Sequence, residues 1–80
     1  MKKQMTHHLK LASKYYDDVE QRSKNFEIRY NDRRYQVGDW LVLKEWKNGS
    51  YTGRECVRQI VKVFELDTIG FQGWVAMSIE

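Results

Sequence analysis

The sequence contains no proline, a single cysteine and no apolar run longer than four residues. The absence of proline excludes a polyproline linker or a collagen-like repeat. Cys56 has no second cysteine to pair with, which excludes an internal disulfide and a zinc module built on several cysteines. The apolar runs are far shorter than the ~20 residues that cross a bilayer, and no apolar signal core follows the charged first residues. We therefore expect a cytoplasmic protein without a membrane partner.

The chain has 80 residues and a mass of 9.7 kDa. This length allows one domain over residues 1–80, which can bury only roughly 60–65% of its unfolded surface. The fractions of hydrophobic residues (41%) and aromatic residues (14%) are too high for a disordered tail. The composition predicts one small globular domain, which we expect to be a monomer.

The positive charge is concentrated in the first half of the chain. The net charge is +3, and residues 1–40 hold nine Lys or Arg against six Asp or Glu, whereas residues 41–80 hold five of each. The stretch 22–34 alone carries five basic and two acidic residues. A local excess of cations is what binding to a phosphate backbone requires, although basic residues near turns are also ordinary solvated surface.

Hydrophobic periodicity divides the chain into five strands and one helix. An alternating pattern predicts a strand at 7–12, and apolar spacing predicts a helix at 13–23 with Ser13 as its N-cap. Asp17 and Asp18 suit the start of that helix, and Arg22 and Lys24 suit its end. Further strands are predicted at 26–30, 39–46, 54–66 and 74–79. Asn48-Gly49 is a strong signal for the turn between the second and third of these, and Tyr51-Thr52-Gly53 is the alternative tip of the same hairpin.

The fourth of these strands is expected to place Val57, Val61 and Val63 on one face and Arg54, Arg58 and Lys62 mostly on the other. Ile60 and Phe64 interrupt this alternation, which a β-bulge would explain. With no alternation of strands and helices along the chain, the elements predict an α+β fold: a small, mostly antiparallel β-barrel of five to six strands with one early helix.

Few residues suit metal, cofactor or nucleophilic chemistry. His7 and His8 are neighbours on a strand, so they point to opposite faces and cannot hold one ion together. We expect Cys56 to be a small buried residue. We expect Trp40, Trp46 and Trp74 to pack in the core before they serve any other role. We predict no metal site and no cofactor.

Lys24, Glu27 and Arg29 form the one cluster that points to chemistry. A carboxylate between two cations stays ionised and holds both cations in place, which suits a site that grips a phosphate or a base edge. A structural ion-pair cluster at the rim of the sheet would have the same pattern.

The same residues resemble a known signature. Just after the predicted helix, a lysine is followed after two residues by a glutamate and after one further residue by an arginine. This spacing is similar to the signature of the ASCH domain of the PUA-like superfamily. Segments along almost the whole chain share this resemblance, and they are most similar to a small bacterial and phage subgroup of unknown function; these segments are 26–33, 36–39, 43–46, 51–55 and 73–77.

The resemblance implies a β-barrel with a cleft between barrel and helix, and RNA binding as its activity. It would place Lys24, Glu27 and Arg29 in the binding site, and we expect Arg33, Arg34 and Arg54 at its rim. The glycine that usually stands two positions before the motif lysine is Arg22 here. Relatives that hydrolyse a modified cytidine carry threonine where this chain has Glu27, and this difference argues against that activity.

We therefore expect an RNA- or nucleotide-binding module with no assigned catalytic residue. One alternative is a small hydrolase that acts on RNA or on a modified nucleoside in the same cleft. A second alternative is a protein-interaction module whose charged cleft is structural.

Overall fold

The computed structural model describes residues 3–80 as five strands, one α-helix and one short 3-10 turn. In chain order the elements are β1 (Thr6–Ala12), α1 (Ser13–Glu20), β2 (Phe26–Tyr30), β3 (Trp40–Lys47), β4 (Ser50–Glu65), a 3-10 turn (Asp67–Ile69) and β5 (Trp74–Ile79). The predicted α+β class is confirmed. No helix within the described part of the chain is long and apolar enough to cross a membrane.

All five strands belong to one open sheet with the order β1-β3-β4-β5-β2. Three neighbouring pairs are antiparallel, and β1 pairs with β3 in parallel. The predicted closed barrel is not confirmed, because β1 and β2 lie at the two ends of the strand order and do not form a ladder with each other. The parallel pair arises because β1 and β3 are joined through α1 and β2 instead of a tight turn.

Helix α1 is shorter than the sequence predicted. It ends at Glu20, and Arg22 then adopts a left-handed φ of 66°, which stops the helix before the predicted end at 23. Ser13 is not the N-cap: Ala12 holds that position without a side-chain hydrogen bond, and neither the first nor the last turn carries the expected charges. Arg58 instead satisfies the end of the helix by donating to the carbonyls of Val19 (2.9 Å) and Glu20 (2.8 Å).

The β3–β4 hairpin turns at Asn48 and Gly49, as predicted. Both residues have positive φ (51° and 84°), which matches the primed turns that the twist of two paired strands favours. Strand β4 therefore begins at Ser50 and not at residue 54. A bulge follows at once, because Lys44 and Trp46 pair with Glu55 and Tyr51, so that three β4 residues oppose Glu45 alone.

The predicted grouping of the β4 side chains was wrong in part, because Val63 packs against the core and does not share the exposed face of Val57. Val57 is 51% exposed, Val61 is exposed, and Arg58 is buried together with Cys56 and Ile60. The predicted bulge is confirmed between Ile60 and Lys62, where the register against β5 shifts. Alternation alone shows two faces without showing which is inward, and here the carbonyls at the end of α1 make the inward position suitable for an arginine.

One core lies between the sheet and α1. It consists of strand residues together with Tyr16, Val19 and Tyr35. Trp40 and Trp74 are 38% and 40% exposed, so the expectation that the tryptophans serve the core first was wrong and tyrosines take that place. His7 is buried and His8 exposed, which confirms that they point to opposite faces. Cys56 is buried as predicted, and burial raises the pKa of its thiol.

Candidate functional site

A groove of about 860 Å³ separates β1 from β2, the two strands at the free ends of the sheet. We call it the edge groove. Residues 8–12 form one side, residues 26–30 form the other, and Tyr15 of α1 lines it as well. Because neither strand pairs with another strand along this gap, its walls combine backbone edges with side chains. The cleft that the resemblance implied lies between barrel and helix, whereas this groove lies between two strands and receives only Tyr15 from α1.

Glu27 lies at the centre of the ion cluster in the groove. It is 3% exposed and accepts from both predicted cations: Lys24 Nζ lies 2.8 Å from Oε1, and Arg29 Nε lies 3.0 Å from Oε2. The structure thus brings Lys24, Glu27 and Arg29 together as the sequence predicted. Since each carboxylate oxygen already accepts from a cation, Glu27 is suited to position Lys24 and Arg29 and not to act as a general base.

Local structure explains why these three side chains meet. The backbone N–H groups of Ser23 and Lys24 both donate to the carbonyl of Asp18, at 2.8 and 3.0 Å, which folds the chain back after α1. Strand β2 then alternates its side chains, so Glu27 and Arg29 share the inward face with Met77 and Val75 of β5. The turn supplies the lysine, and the strand supplies the other two residues.

Arg29 retains one free edge of its guanidinium group. Nη2 donates to the carbonyl of Lys10 (2.7 Å) and Nε donates to Glu27, while Nη1 makes no hydrogen bond within residues 3–80. The guanidinium is held in a fixed orientation and still has donors to offer. A planar fork of this kind matches the oxygens of a phosphate or carboxylate.

Aromatic rings surround Lys24. Its ammonium lies 4.6 Å from the ring centre of Phe26 and 5.6 Å from that of Tyr15, and it also donates to the carbonyl of Phe26 at 2.7 Å. The exposed rings of Phe26 and Tyr15 therefore stand beside a fixed cation. Both rings line the edge groove, where a flat ligand could stack on them.

The three rim arginines have different surroundings. Arg33 lines the edge groove. Arg34 does not line it, and its φ of 53° is left-handed. Arg54 is bound in a second cluster, where it meets both oxygens of Glu45 (2.9 and 2.8 Å) and Asp17 of α1 (3.1 Å).

The Arg54 cluster lies beside a smaller hollow of about 210 Å³. Thr52 also donates to Glu45, at 2.6 Å. The hydrogen bonds from Arg54 and Thr52 lower the pKa of Glu45 to about 2, and the hydrogen bond to Glu45 raises the pKa of Arg54. Arg54 lies outside the edge groove, carboxylates occupy the N–H edges of its guanidinium, and one face lies 4.5 Å from the ring centre of Tyr16 in α1, so this cluster serves to hold the hairpin against α1.

Sequence reasoning missed several groove residues. Lys10 of β1, Tyr15 of α1 and Trp74 of β5 all line the groove. Alternation in β1 places Lys10 outward, but no signal in the sequence places β1 opposite β2. The histidines lie elsewhere: His7 forms a buried pair with Asp39 (2.9 Å), and no group of three possible metal ligands occurs among residues 3–80.

Comparison with known proteins gives two matches. Residues 6–79 match a family described as a domain of unknown function, DUF3850. Over 60 residues, 75% of this chain, the sequence is 43% identical to an uncharacterized 12.9 kDa protein in the GpA 3′ region of Escherichia phage P2. The chain spans 55% of that relative's length. These matches fit the expected relation to a small phage and bacterial group of unknown function.

Proposed function

This chain belongs to the DUF3850 family, and we propose that it binds RNA or a nucleotide in the edge groove. The observation that carries the proposal is the free edge of Arg29. A buried carboxylate and a backbone carbonyl fix this guanidinium, Arg29 lines the groove, and its Nη1 makes no hydrogen bond among residues 3–80. A preorganised arginine of this kind binds a phosphate without having to order its side chain first.

The charge of the groove supports an anionic ligand. Four cationic side chains line it (Lys10, Lys24, Arg29 and Arg33) against two acidic ones (Glu27 and Asp32), which leaves a net charge of +2. Glu27 is fully engaged by Lys24 and Arg29, so the charge that a ligand meets is positive. Phosphate is the common anion that such a set of donors would take.

The rings beside Lys24 support a ligand that also carries a base. Tyr15 and Phe26 line the groove and are partly exposed. Stacking of a base on an aromatic ring contributes about 1–3 kcal/mol and tolerates any base. A groove with cations and rings side by side suits a nucleotide unit of a single strand better than inorganic phosphate alone.

The proposal includes the ASCH, PUA-like assignment. Lys24, Glu27 and Arg29 stand together after a helix, as in that signature, and the free strands β1 and β2 approach closely enough for Arg29 to reach Lys10. A curled sheet bridged by side chains resembles a barrel with one unpaired seam. The single cysteine without a partner fits the reducing cytoplasm, where we place the protein.

Fluorescence anisotropy with a labelled single-stranded RNA tests the proposal. We expect binding at low salt, and a logarithm of affinity that falls by about 0.7 per neutralised phosphate for each unit of log salt. Lys10→Ala should weaken binding, whereas Lys47→Ala at the hairpin, outside the groove, serves as the matched control. The absence of any binding at low salt would rule out RNA as the ligand.

The same samples test the hydrolase alternative. After incubation, the RNA and an acylated cytidine are analysed for products by chromatography. The Lys24→Arg variant keeps the positive charge, so it should keep most of the binding if Lys24 is a cationic ligand group. If the parent protein hydrolyses either substrate, and if Lys24→Arg abolishes this turnover while RNA binding persists, the protein is an enzyme and not only a binding module.

A further inference from the structure

The exposed aromatic side chains of the edge groove form two separate groups along β2. Phe26 is the first residue of this strand and Tyr30 is the last, and both line the groove. They are four positions apart, which corresponds to about 13 Å at the rise of a strand. Alternation directs both side chains away from the side that carries Glu27 and Arg29. The groove therefore has two surfaces for stacking, one near each end of β2.

The strand directions show which residues share each end. β1 is parallel to β3, and three antiparallel pairings lead from β3 to β2, so β1 and β2 run in opposite directions across the groove. The end of β1, where α1 begins, thus lies opposite the start of β2. This arrangement brings Tyr15 of α1 to the Phe26 end. We call Tyr15 and Phe26 the first platform, and Tyr30 and Trp74 the second platform.

Packing holds the rings of the second platform in place. The Tyr30 and Trp74 rings meet edge to face with their centres 5.9 Å apart, and the two residues are directly paired between β2 and β5. Gly73 leaves room for the Tyr30 ring, since a Cβ there would lie 2.7 Å from it. Both rings nevertheless stay exposed. Because the protein already fixes these rings, little side-chain freedom is lost when a base stacks on them.

Positive charge is concentrated at the first platform and between the two platforms. Three cations and one carboxylate line this part of the groove, with a net charge of +2: Lys10, Lys24, Arg29 and Glu27. At the second platform Arg33 can hold a phosphate, but Asp32 beside it offsets the charge. The attraction for phosphate is therefore strongest between two sets of rings, and the far set suits an uncharged base.

We propose that the edge groove binds a single strand of RNA that spans both platforms, with one base stacked on each and phosphates on the cations between them. This inference rests on the proposed function and adds to it, because it selects an oligonucleotide over a free nucleotide. Successive nucleotides of a stacked strand are about 3.4 Å apart along its axis, so the distance between the platforms corresponds to about four stacked nucleotides, or to fewer in an extended strand. A single nucleotide reaches one platform and gains one stack.

Competition anisotropy with oligouridylates of one to six nucleotides tests the span. Each oligomer displaces a labelled single-stranded RNA from the parent protein at low salt. We expect the affinity to rise at least about tenfold from uridine monophosphate to the tetranucleotide, because the second stack is then made. Beyond the tetranucleotide the affinity should change by less than about threefold, since no further platform lies along the groove.

Variants with one platform removed separate stacking from charge. Tyr30→Ala should weaken binding of the tetranucleotide at least about fivefold, because one of its two stacks is lost. The same variant should leave uridine monophosphate within about twofold, since this ligand can still use the first platform. Phe26→Ala should give the same contrast from the other end. Phe71→Ala is the matched control: Phe71 is 56% exposed against 48% for Phe26 and does not line the groove, so both ligands should bind as in the parent.

A tryptophan pair repeats the test if Tyr30→Ala does not fold. Trp74→Leu removes a ring of the second platform, and Trp40→Leu is its control, because Trp40 is equally exposed and lies outside the groove. Uridine monophosphate that binds as tightly as the tetranucleotide would overturn the span and leave the proposed function in place. So would platform variants that weaken both ligands equally or neither. No binding by any oligomer would overturn the proposed function, and this inference with it.

Discussion

Arg29 of β2 donates a hydrogen bond of 2.7 Å from Nη2 to the main-chain carbonyl of Lys10 in β1. The two strands lie at opposite ends of the strand order, so this contact joins the first and last strands of the open sheet. The same guanidinium holds Glu27 at 3.0 Å. One side chain thus satisfies a free strand edge, neutralises a buried carboxylate and presents its remaining donors to the groove.

The first prediction concerns the stability that Arg29 contributes. Arg29→Gln should lower the free energy of unfolding by about 2 kcal/mol, because Glu27 stays buried with only Lys24 to neutralise it and the Lys10 carbonyl loses its donor. Urea unfolding followed by circular dichroism measures this change. Arg33→Gln, also in the groove but with no ion pair among the described residues, should alter stability by less than about 0.5 kcal/mol. Equal stability of the two variants would contradict the structural role.

The sequence was sufficient to predict the elements and much of the ion cluster. Asn48-Gly49 specifies its turn locally, because both residues tolerate positive φ. Lys24, Glu27 and Arg29 lie within six positions, so the turn and one strand bring them together with no help from the rest of the chain. Local geometry of this kind is visible in a sequence.

Nonlocal geometry was not predictable in the same way. The sheet is open because β1 pairs with β3 and does not also pair with β2, and no spacing along the chain encodes the partner of β1. Arg58 is buried because the carbonyls that end α1 lie 38 and 39 positions away in the sequence. The outward aromatic residues of β2 have the pattern of a buried face, and only their pairing with β5 shows the true direction.

The second prediction compares two neighbouring arginines. Arg33 lines the edge groove, and Arg34 does not. Arg33→Ala should weaken the binding of single-stranded RNA about threefold to tenfold at low salt and reduce the salt slope, because one phosphate contact is lost. Arg34→Ala removes the same charge from the same turn and should change affinity much less. Anisotropy titrations measure both, and equal losses would mean that total charge matters and the groove does not.

The third prediction concerns the pH dependence of stability. Hydrogen bonds from Arg54 and Thr52 lower the pKa of Glu45 from 4.5 to about 2. A carboxyl with a lowered folded-state pKa stabilises the fold above its unfolded pKa, and this contribution is lost as pH falls through the folded value. The stability advantage of the parent over Glu45→Gln should therefore be constant at neutral pH and shrink between about pH 4.5 and pH 2.

A series of thermal unfolding curves across this pH range measures the Glu45 effect. Glu55→Gln is the control, because Glu55 is exposed on the same hairpin. Its substitution removes an equal charge without breaking the Arg54 pair with Glu45. Asp39 also contributes acid sensitivity: burial raises its pKa, but the hydrogen bonds from His7 and two backbone N–H groups outweigh this and lower it. Because Asp39 is present in all three proteins, it cancels in the comparison. A difference between parent and Glu45→Gln that does not vary with pH would contradict the prediction.

The fourth prediction uses two glycines with similar backbones and different surroundings. Gly73 (φ 81°) and Gly53 (φ 96°) both adopt left-handed conformations, so alanine at either position should cost about 1–2 kcal/mol. A Cβ at Gly73 would lie 2.7 Å from the Tyr30 ring, whereas none of the residues 3–80 comes within 4 Å of a Cβ at Gly53. Gly73→Ala must therefore also displace Tyr30 from its contact with Trp74, which should cost about 0.5–1 kcal/mol more. Urea unfolding of both variants, with and without Tyr30→Ala, isolates this contact. Without the Tyr30 ring the extra cost at Gly73 should vanish, and its persistence would place the strain in the backbone instead.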